Sequence, residues 1–188
     1  MGDPAEDLIG AIARRRGSGE RVAAAAAAGA AVARMQGWGV TRALVPVDPW
    51  LEALGLEAAV REAGIEVLRF PAGRGWRELL GLEGPTETCG VTLPSAGVSE
   101  RGTLVLEAGP GHGRAIDVVA ARHLAVLPAS KVVRSLDEAL ATSFRRGGRP
   151  PSAVSLVSAP SRTSDIEKIS TLGAHGAVSL HLLVVDGA

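Results

Sequence analysis

The amino-acid sequence predicts a single α/β domain whose mainly parallel sheet is covered by helices on both faces. Two observations predict this fold class. The chain has 188 residues and a hydrophobic content of 46%, which is enough to bury one substantial core. Short β-rich runs also alternate with helical patterns along the chain, in the order that parallel strands and their crossover helices follow.

The first half of the chain is predicted to begin with helices. Residues 7–15 and 20–35 have helical patterns, and the second contains an alanine-rich run from Val22 to Val32. This run is far shorter than the ~20 residues needed to span a bilayer. Pro49 suits the first turn of a helix, and Gly64 suits a helix end. The other elements expected here are strands over 43–47 and 65–70, a helix over 49–62 and a short helix over 76–80.

Strands dominate the predicted second half. Apolar runs favour strands, and Ser135 is placed to cap the helix that follows it. The Gly- and Pro-rich segment over 145–151 is expected to be a loop whose arginines face solvent. The elements expected here are strands over 89–93, 103–107, 123–127, 131–133, 152–157 and 178–185, and a helix over 136–144.

Charge and cysteine content exclude several function classes. The 20 basic residues equal the 20 acidic ones and are scattered, so no nucleic-acid partner is expected. Cys89 is the only cysteine, which excludes an internal disulfide and any multi-cysteine zinc or iron–sulfur site held by this chain alone. Its apolar surroundings predict a buried, unreactive thiol. The acidic start of the chain lacks the positive charge of a secretory signal, so a cytoplasmic location is expected.

Two loops are predicted to carry the chemistry, because ligands of open α/β sheets collect beyond the carboxyl ends of the strands. The first loop, over 92–103, separates two apolar runs and contains Glu100 and Thr103. Glu100 is a candidate general base, nucleophile or ligand-orienting group. The alternative interpretation is a turn acid that pairs with a nearby arginine.

The second loop follows the apolar run 154–157 and reads as a strand, an anion-binding turn and a helix. Free N–H groups at a helix start favour phosphate or carboxylate, and Arg162 adds a fork of donors. Thr163 or Ser164 is expected to cap this helix. His175, between two glycines, is either a proton carrier or a turn histidine that bonds the backbone.

Other motifs are rejected on their spacing. The glycine-rich segment 109–114 lacks the Gly-Lys-Ser/Thr ending of a phosphate loop and is interpreted as a flexible hairpin or lid. The four histidines are not at metal-ligand spacing, so no metal is expected. No Gly-x-Ser-x-Gly elbow supports a hydrolase triad.

Read together, the loops resemble a known family. Four groups of residues match, in order, the motifs of that family: Glu100, Gly102 and Thr103; Leu127 and Pro128; Pro160 to Thr163 with Asp165 to Glu167; and Gly173, His175 and Gly176. The family they resemble is the LUD domain family, the family of lactate utilization protein C. The chain is accordingly interpreted as one LUD-type domain over 1–188, with the motifs in about 89–186 and a helical segment over about 1–36. Three positions depart from the family pattern: Arg101, Ala159 and Ala177.

The resemblance implies a fold like that of ribose-5-phosphate isomerase, glucosamine-6-phosphate deaminase and the CoA-transferases, a three-layer α/β/α sandwich. It also implies a place in the oxidation of L-lactate to pyruvate. The chain would be an accessory or substrate-handling component that binds a small anionic carboxylate or phosphate. Iron–sulfur clusters would belong to separate partner proteins, and no cofactor is expected in this chain.

Two alternatives remain open at the level of the sequence. One is a stand-alone enzyme of the CoA-transferase or sugar-phosphate isomerase type that uses Glu100. The other is a non-catalytic assembly subunit, and a homo-oligomer is compatible with each.

The predicted site residues are Glu100 and His175 as catalytic groups, and Thr103, Ser161, Arg162, Thr163, Asp165, Gly173 and Gly176 as ligand-binding groups.

Overall fold

The structure, a computed structural model, describes residues 2–70, 88–109, 116–144, 151–164, 170–172 and 176–187. The elements of the first part are α1 (Pro4–Arg14), β1 (Ser18–Ala23), α2 (Ala24–Gly37), β2 (Arg42–Pro46), α3 (Pro49–Ala53), α4 (Leu56–Glu62) and β3 (Glu66–Phe70). The later elements are β4 (Thr88–Thr92), β5 (Ala96–Val98), β6 (Thr103–Glu107), α5 (Ile116–Val119), β7 (Arg122–Pro128), a 3-10 turn (Ala129–Lys131), β8 (Val132–Val133), α6 (Leu136–Phe144), β9 (Val154–Val157), β10 (Arg162–Ser164), β11 (Ser170–Leu172) and β12 (Ser179–Asp186). The helix predicted over 76–80 lies outside the described residues.

The main sheet has six parallel strands in the order β1-β12-β7-β4-β2-β3. On one face, α2 and α4 pack against a core that includes Leu124 and Leu183. On the other face, α1 packs through Leu8 and Ile12 against Leu182. Burial of these strands on both faces explains their nearly continuous apolar runs. The predicted α/β fold with a mainly parallel, helix-covered sheet is confirmed.

A second sheet covers part of the α1 face, which the sequence did not predict. Its four strands run in the order β8-β5-β6-β9, with β6 antiparallel to both β5 and β9. Leu104 of β6 joins the core between the two sheets. The loop expected over 92–103 therefore contains the short strand β5. The strand expected over 152–157 pairs with β6 rather than joining the parallel sheet.

The helix predicted over 20–35 is wrong at its beginning. Residues Ser18–Ala23 form the edge strand β1, and the helix starts only at Ala24. Backbone pairing with β12 overrides local helix propensity here, and Arg21 adds ion pairs to Asp186 and Asp3. The helix predicted over 49–62 is likewise divided in two, because Gly55 adopts a left-handed backbone conformation with φ of 68°.

The helix cap predicted at Thr163 or Ser164 is wrong, and residues 165–169, which would follow the cap, lie outside the described residues. Arg162–Ser164 forms β10, which pairs antiparallel with Ser170–Leu172 of β11. β-Branched and hydroxyl side chains suit such a ladder, and a ladder leaves no free helix start in residues 162–164. By contrast, the helix predicted from Leu136 is confirmed together with its cap, since the Oγ of Ser135 accepts a hydrogen bond from the N–H of Glu138 at 3.2 Å.

Cys89 lies in the core of the main sheet, as predicted. It is completely buried, and burial raises the pKa of its thiol to about 12. We therefore expect its reaction with a thiol reagent such as dithionitrobenzoate to be at least about a hundredfold slower in the native protein than in urea. Comparable rates in both states would contradict the buried, protonated thiol.

No helix in the described part of the chain is long and apolar enough to cross a membrane.

Candidate functional site

A cleft of about 170 Å³ lies between the main sheet and the end of β9. One wall comes from the motif loop that follows β9, and the opposite wall comes from the first residues of β7 and β12. Pockets for drug-sized ligands measure about 300 to 1,000 Å³, so this cleft suits a ligand of few heavy atoms. Its described lining comprises His123, Leu156, Val157, Ser158, Ala159, Pro160, Ser161, Gly176, Ala177 and Leu180.

Backbone and hydroxyl hydrogen bonds fix the motif loop in place. The N–H of Ser161 donates to the carbonyl of Ala177 at 2.8 Å, which ties the loop to the segment before β12. The hydroxyls of Thr103 and Ser158 are 2.8 Å apart, because the β6–β9 register brings these residues side by side. The structure therefore brings together Thr103, Ser161 and Gly176, three of the predicted ligand-binding residues, from three distant parts of the chain.

A buried histidine forms the base of the cleft. His123 is 2% exposed, and its Nε2 lies 2.7 Å from the Oγ1 of Thr92. This contact holds the imidazole ring in one orientation toward the main sheet. An imidazole nitrogen can donate or accept a hydrogen bond, depending on its tautomer.

The rest of the lining is apolar. Leu180 is buried, whereas Leu156 is 50% exposed and is one of the two large exposed hydrophobic side chains in the described residues. The polar side chains of the lining, two serine hydroxyls and one imidazole, are thus accompanied by aliphatic side chains. This arrangement fits a small organic molecule with one polar end and one apolar end.

Glu100, the predicted catalytic carboxylate, lies outside the described lining of the cleft. It is exposed on the turn between β5 and β6, where its N–H donates to the carbonyl of Arg134 at 3.2 Å. Gly102 closes this turn with φ of 60°. The turn leads directly into Thr103, so Glu100 sits three residues before the hydroxyl that contacts Ser158.

The remaining predicted residues divide into two groups. The backbones of Arg162 and Thr163 belong to β10, which continues directly from the cleft residue Ser161. Asp165, Gly173 and His175 lie outside the described residues, so their predicted roles stay predictions. No group of three or more metal-ligating side chains that could hold an ion occurs in the described ranges.

The cleft lies at the amino ends of two strands of the main sheet. The expectation that ligands bind beyond the carboxyl ends of parallel strands applies to the main sheet, but the motif loop follows β9, a strand of the second sheet. The loop therefore reaches the amino ends of β7 and β12. The sequence analysis did not single out His123 and Ser158, which also line the cleft. The signal for His123 is its polar side chain at the start of the otherwise apolar run 123–127, because a polar group in a buried strand usually has a hydrogen-bond partner.

Comparison with known proteins agrees with the motifs. A family model described as the LUD domain matches residues 5–185. Lactate utilization protein C of Halalkalibacterium halodurans is 28% identical over 142 residues, covering 74% of this chain and 60% of that protein. Lactate utilization protein C of Geobacillus kaustophilus is 28% identical over 169 residues, covering 84% of this chain and 68% of that protein. The chain thus matches between about three fifths and two thirds of the length of these relatives.

A solved structure supports the fold. A DUF162 family protein from Deinococcus radiodurans superposes with a TM-score of 0.65 at 24% identity, covering 97% of this chain and 96% of that one. At this identity the likeness concerns the architecture. It agrees with the parallel sheet and its flanking helices described above.

Proposed function

Because the chain belongs to the LUD domain family, we propose that it acts in lactate utilization by binding a small organic acid in the cleft beside β9. One observation carries the proposal. Pro160, Ser161 and Gly176, which are residues of the family motifs, line the same cleft. The relatives named lactate utilization protein C supply the expected substrate class, a short 2-hydroxy or 2-oxo carboxylate.

The chemistry of the cleft is compatible with such a ligand. The hydroxyls of Ser158 and Ser161, which line the cleft, can form hydrogen bonds to a hydroxyl or carbonyl group of a ligand. Leu156 and Leu180 offer an apolar surface to a methyl group. We assign the carboxylate to Arg162, the residue that follows Ser161, because a guanidinium binds a carboxylate through two parallel hydrogen bonds.

The proposed role is that of a substrate-handling component rather than a complete oxidase. Oxidation of lactate to pyruvate removes two electrons, and an iron–sulfur cluster that accepts electrons needs several cysteine thiolates. Cys89 is the only cysteine of this chain and is buried in the sheet. The electron acceptors are therefore assigned to separate proteins.

A thermal-shift titration tests this proposal. L-Lactate or pyruvate at about 100 times its Kd should stabilise the wild-type protein by about 2.7 kcal/mol, which raises the melting temperature by several degrees. Arg162→Ala should remove most of this shift, because a charge-assisted contact contributes about 1.5 to 3 kcal/mol. Arg42→Ala is the matched control, since Arg42 is on β2 and pairs with Glu66 at 2.7 Å. An equal shift in wild type and Arg162→Ala would contradict the assignment.

A second candidate function is catalysis by this chain alone. Its support is the exposed carboxylate of Glu100 on the turn that leads into Thr103. Purified protein that turns over an acyl-CoA or sugar-phosphate substrate without partners, with activity lost in Glu100→Gln, would favour this candidate. Activity that requires added iron–sulfur proteins would favour the substrate-handling role.

A further inference from the structure

Thr103 lies behind the wall of the cleft rather than in it. The residue is 7% exposed and does not belong to the described lining of the cleft. Its hydroxyl instead lies 2.8 Å from the hydroxyl of Ser158, which does line the cleft. The geometry therefore gives Thr103 an indirect route to a bound ligand, through the side chain of Ser158.

Backbone pairing in the second sheet sets this contact. The antiparallel ladder between β6 and β9 pairs Leu104 with Val157. The next position in the same register places Thr103 opposite Ser158, on one face of the sheet. Opposite residues of an antiparallel pair have Cβ atoms about 4.5 to 5.5 Å apart, a distance at which two hydroxyl groups can meet. The contact thus follows from the register of β6 on β9.

The side chain of Thr103 is held rigidly. Two heavy atoms on the Cβ of a β-branched residue restrict its χ1 angle. Thr103 is also buried, and it begins β6 directly after Gly102. Gly102 lies so close to α1 that an added Cβ would be 2.7 Å from the Cβ of Ala11. The turn before Thr103 and the sheet that contains it therefore keep its hydroxyl in one place.

The hydroxyl of Ser158 depends on this neighbour for its orientation. Ser158 is partly buried and comes directly after the last residue of β9. A serine hydroxyl has one proton and two lone pairs, and it rotates to suit its partners. Within the described residues, Thr103 is the hydrogen-bond partner of this hydroxyl. One bond to Thr103 uses either the proton or a lone pair and leaves the other sites for a ligand.

We propose that Thr103 is a positioning residue, whose hydroxyl orients that of Ser158 toward the hydroxyl or carbonyl group of a short 2-hydroxy or 2-oxo carboxylate in the cleft. This inference rests on the proposed function, which supplies the ligand and assigns its carboxylate to Arg162. A side chain that is already oriented loses less conformational freedom when the ligand binds. Thr103 thereby contributes to affinity although it does not touch the ligand.

Calorimetric titration with L-lactate and, separately, with pyruvate tests the proposal. Ser158→Ala should weaken binding about threefold to tenfold, the range that the loss of one neutral hydrogen bond produces. Thr103→Val keeps nearly the same shape but lacks the hydroxyl, and it should weaken binding by a similar factor. Thr103→Ser retains the hydroxyl and should bind within about twofold of wild type. Unchanged affinity in Thr103→Val, or an equal loss in Thr103→Ser and Thr103→Val, would overturn the proposal.

The double variant shows whether Thr103 acts through Ser158. If it does, Thr103→Val should have no further effect in a protein that already carries Ser158→Ala, because the group that Thr103 orients is gone. The double variant should then bind as weakly as Ser158→Ala does. Losses that simply multiply would mean that Thr103 affects the ligand by another route, and they would overturn the positioning role.

Ser95→Ala is the matched control for a general loosening of β6. The Oγ of Ser95 donates to the carbonyl of Val105 in the same strand at 3.2 Å, and Ser95 does not belong to the described lining of the cleft. This variant should bind as wild type does, and urea unfolding confirms that each variant is folded before titration. A loss of affinity equal to that of Thr103→Val would show that binding follows the integrity of the strand, against the proposal.

Arg162→Ala separates this inference from the proposed function. Binding that is lost in Arg162→Ala but unchanged in Thr103→Val and Ser158→Ala would overturn the positioning role and leave the proposed function in place. Failure of the wild-type protein to bind either acid would overturn both.

Discussion

Gly102→Ala is expected to lower the free energy of unfolding by about 3 kcal/mol or more. Gly102 has φ of 60°, a conformation that costs other L-residues about 1 to 2 kcal/mol. A Cβ at this position would also lie 2.7 Å from the Cβ of Ala11 and 2.9 Å from its backbone carbon. Helix α1 would therefore have to move away from the turn that carries Glu100.

Gly39→Ala is the matched control for this substitution. Gly39 has φ of 68°, and a Cβ there would have no atom within 4 Å. The control should therefore show the conformational cost alone, about 1 to 2 kcal/mol. Urea unfolding of both variants measures the difference, which is the cost of crowding α1. Equal losses in the two variants would show that the turn does not pack tightly on α1.

The same turn links stability to the candidate site. Gly102 precedes Thr103, whose hydroxyl contacts Ser158 in the cleft wall. Displacement of the turn should therefore disturb the cleft as well as the core. The family motif places Glu100, Gly102 and Thr103 together. The close approach of α1 explains why position 102 holds a glycine, since a side chain there would collide with Ala11.

The central strands were predictable because each is buried on both faces. Runs such as 123–127 and 178–185 are almost continuously apolar, and this pattern is local. Edge strand β1 was not predictable in this way. Its sequence over 18–23 is mostly polar and small, and its strand conformation depends on pairing with β12, about 160 residues away in the chain.

The cleft required two pieces of non-local information. The motif residues Ser161 and Gly176 were found from the sequence, since their pattern is contiguous. Their partner Ser158 meets Thr103 through the pairing of β6 with β9, which no local pattern specifies. The loop after Ser161 was misread as a helix start for the same reason. Serine and threonine suit both a cap and a strand, and the pairing with β11 decides between them.

The stability of the protein is expected to fall as the pH decreases from about 6.5 to about 4, because of His181. This side chain is 1% exposed, and burial, followed by the positive charge of Arg34, lowers its pKa from 6.5 to about 4 although Glu20 opposes the change. Above pH 6.5 the imidazole is neutral in both the folded and the unfolded chain. Below pH 6.5 the unfolded chain binds a proton that the folded chain excludes, so unfolding becomes more favourable. The loss reaches up to about 3 kcal/mol once the pH falls below 4.

His181→Asn isolates this contribution. At pH 7.5 the variant should be less stable than wild type, because it loses the packing against Trp38 and the contacts with Ser18 and Glu20. This deficit, the difference in free energy of unfolding between wild type and variant, should shrink by about 2 to 3 kcal/mol between pH 7.5 and pH 4.5. Only the wild type has this histidine, which takes up a proton on unfolding. The pKa values of Asp3 and Glu57 are lowered in the folded protein, so the stability that these carboxylates contribute is lost only below about pH 4.5. This loss is the same in both proteins. Urea midpoints across this pH range measure the deficit. A deficit that stays constant would mean that His181 binds its proton as readily in the folded protein as in the unfolded chain.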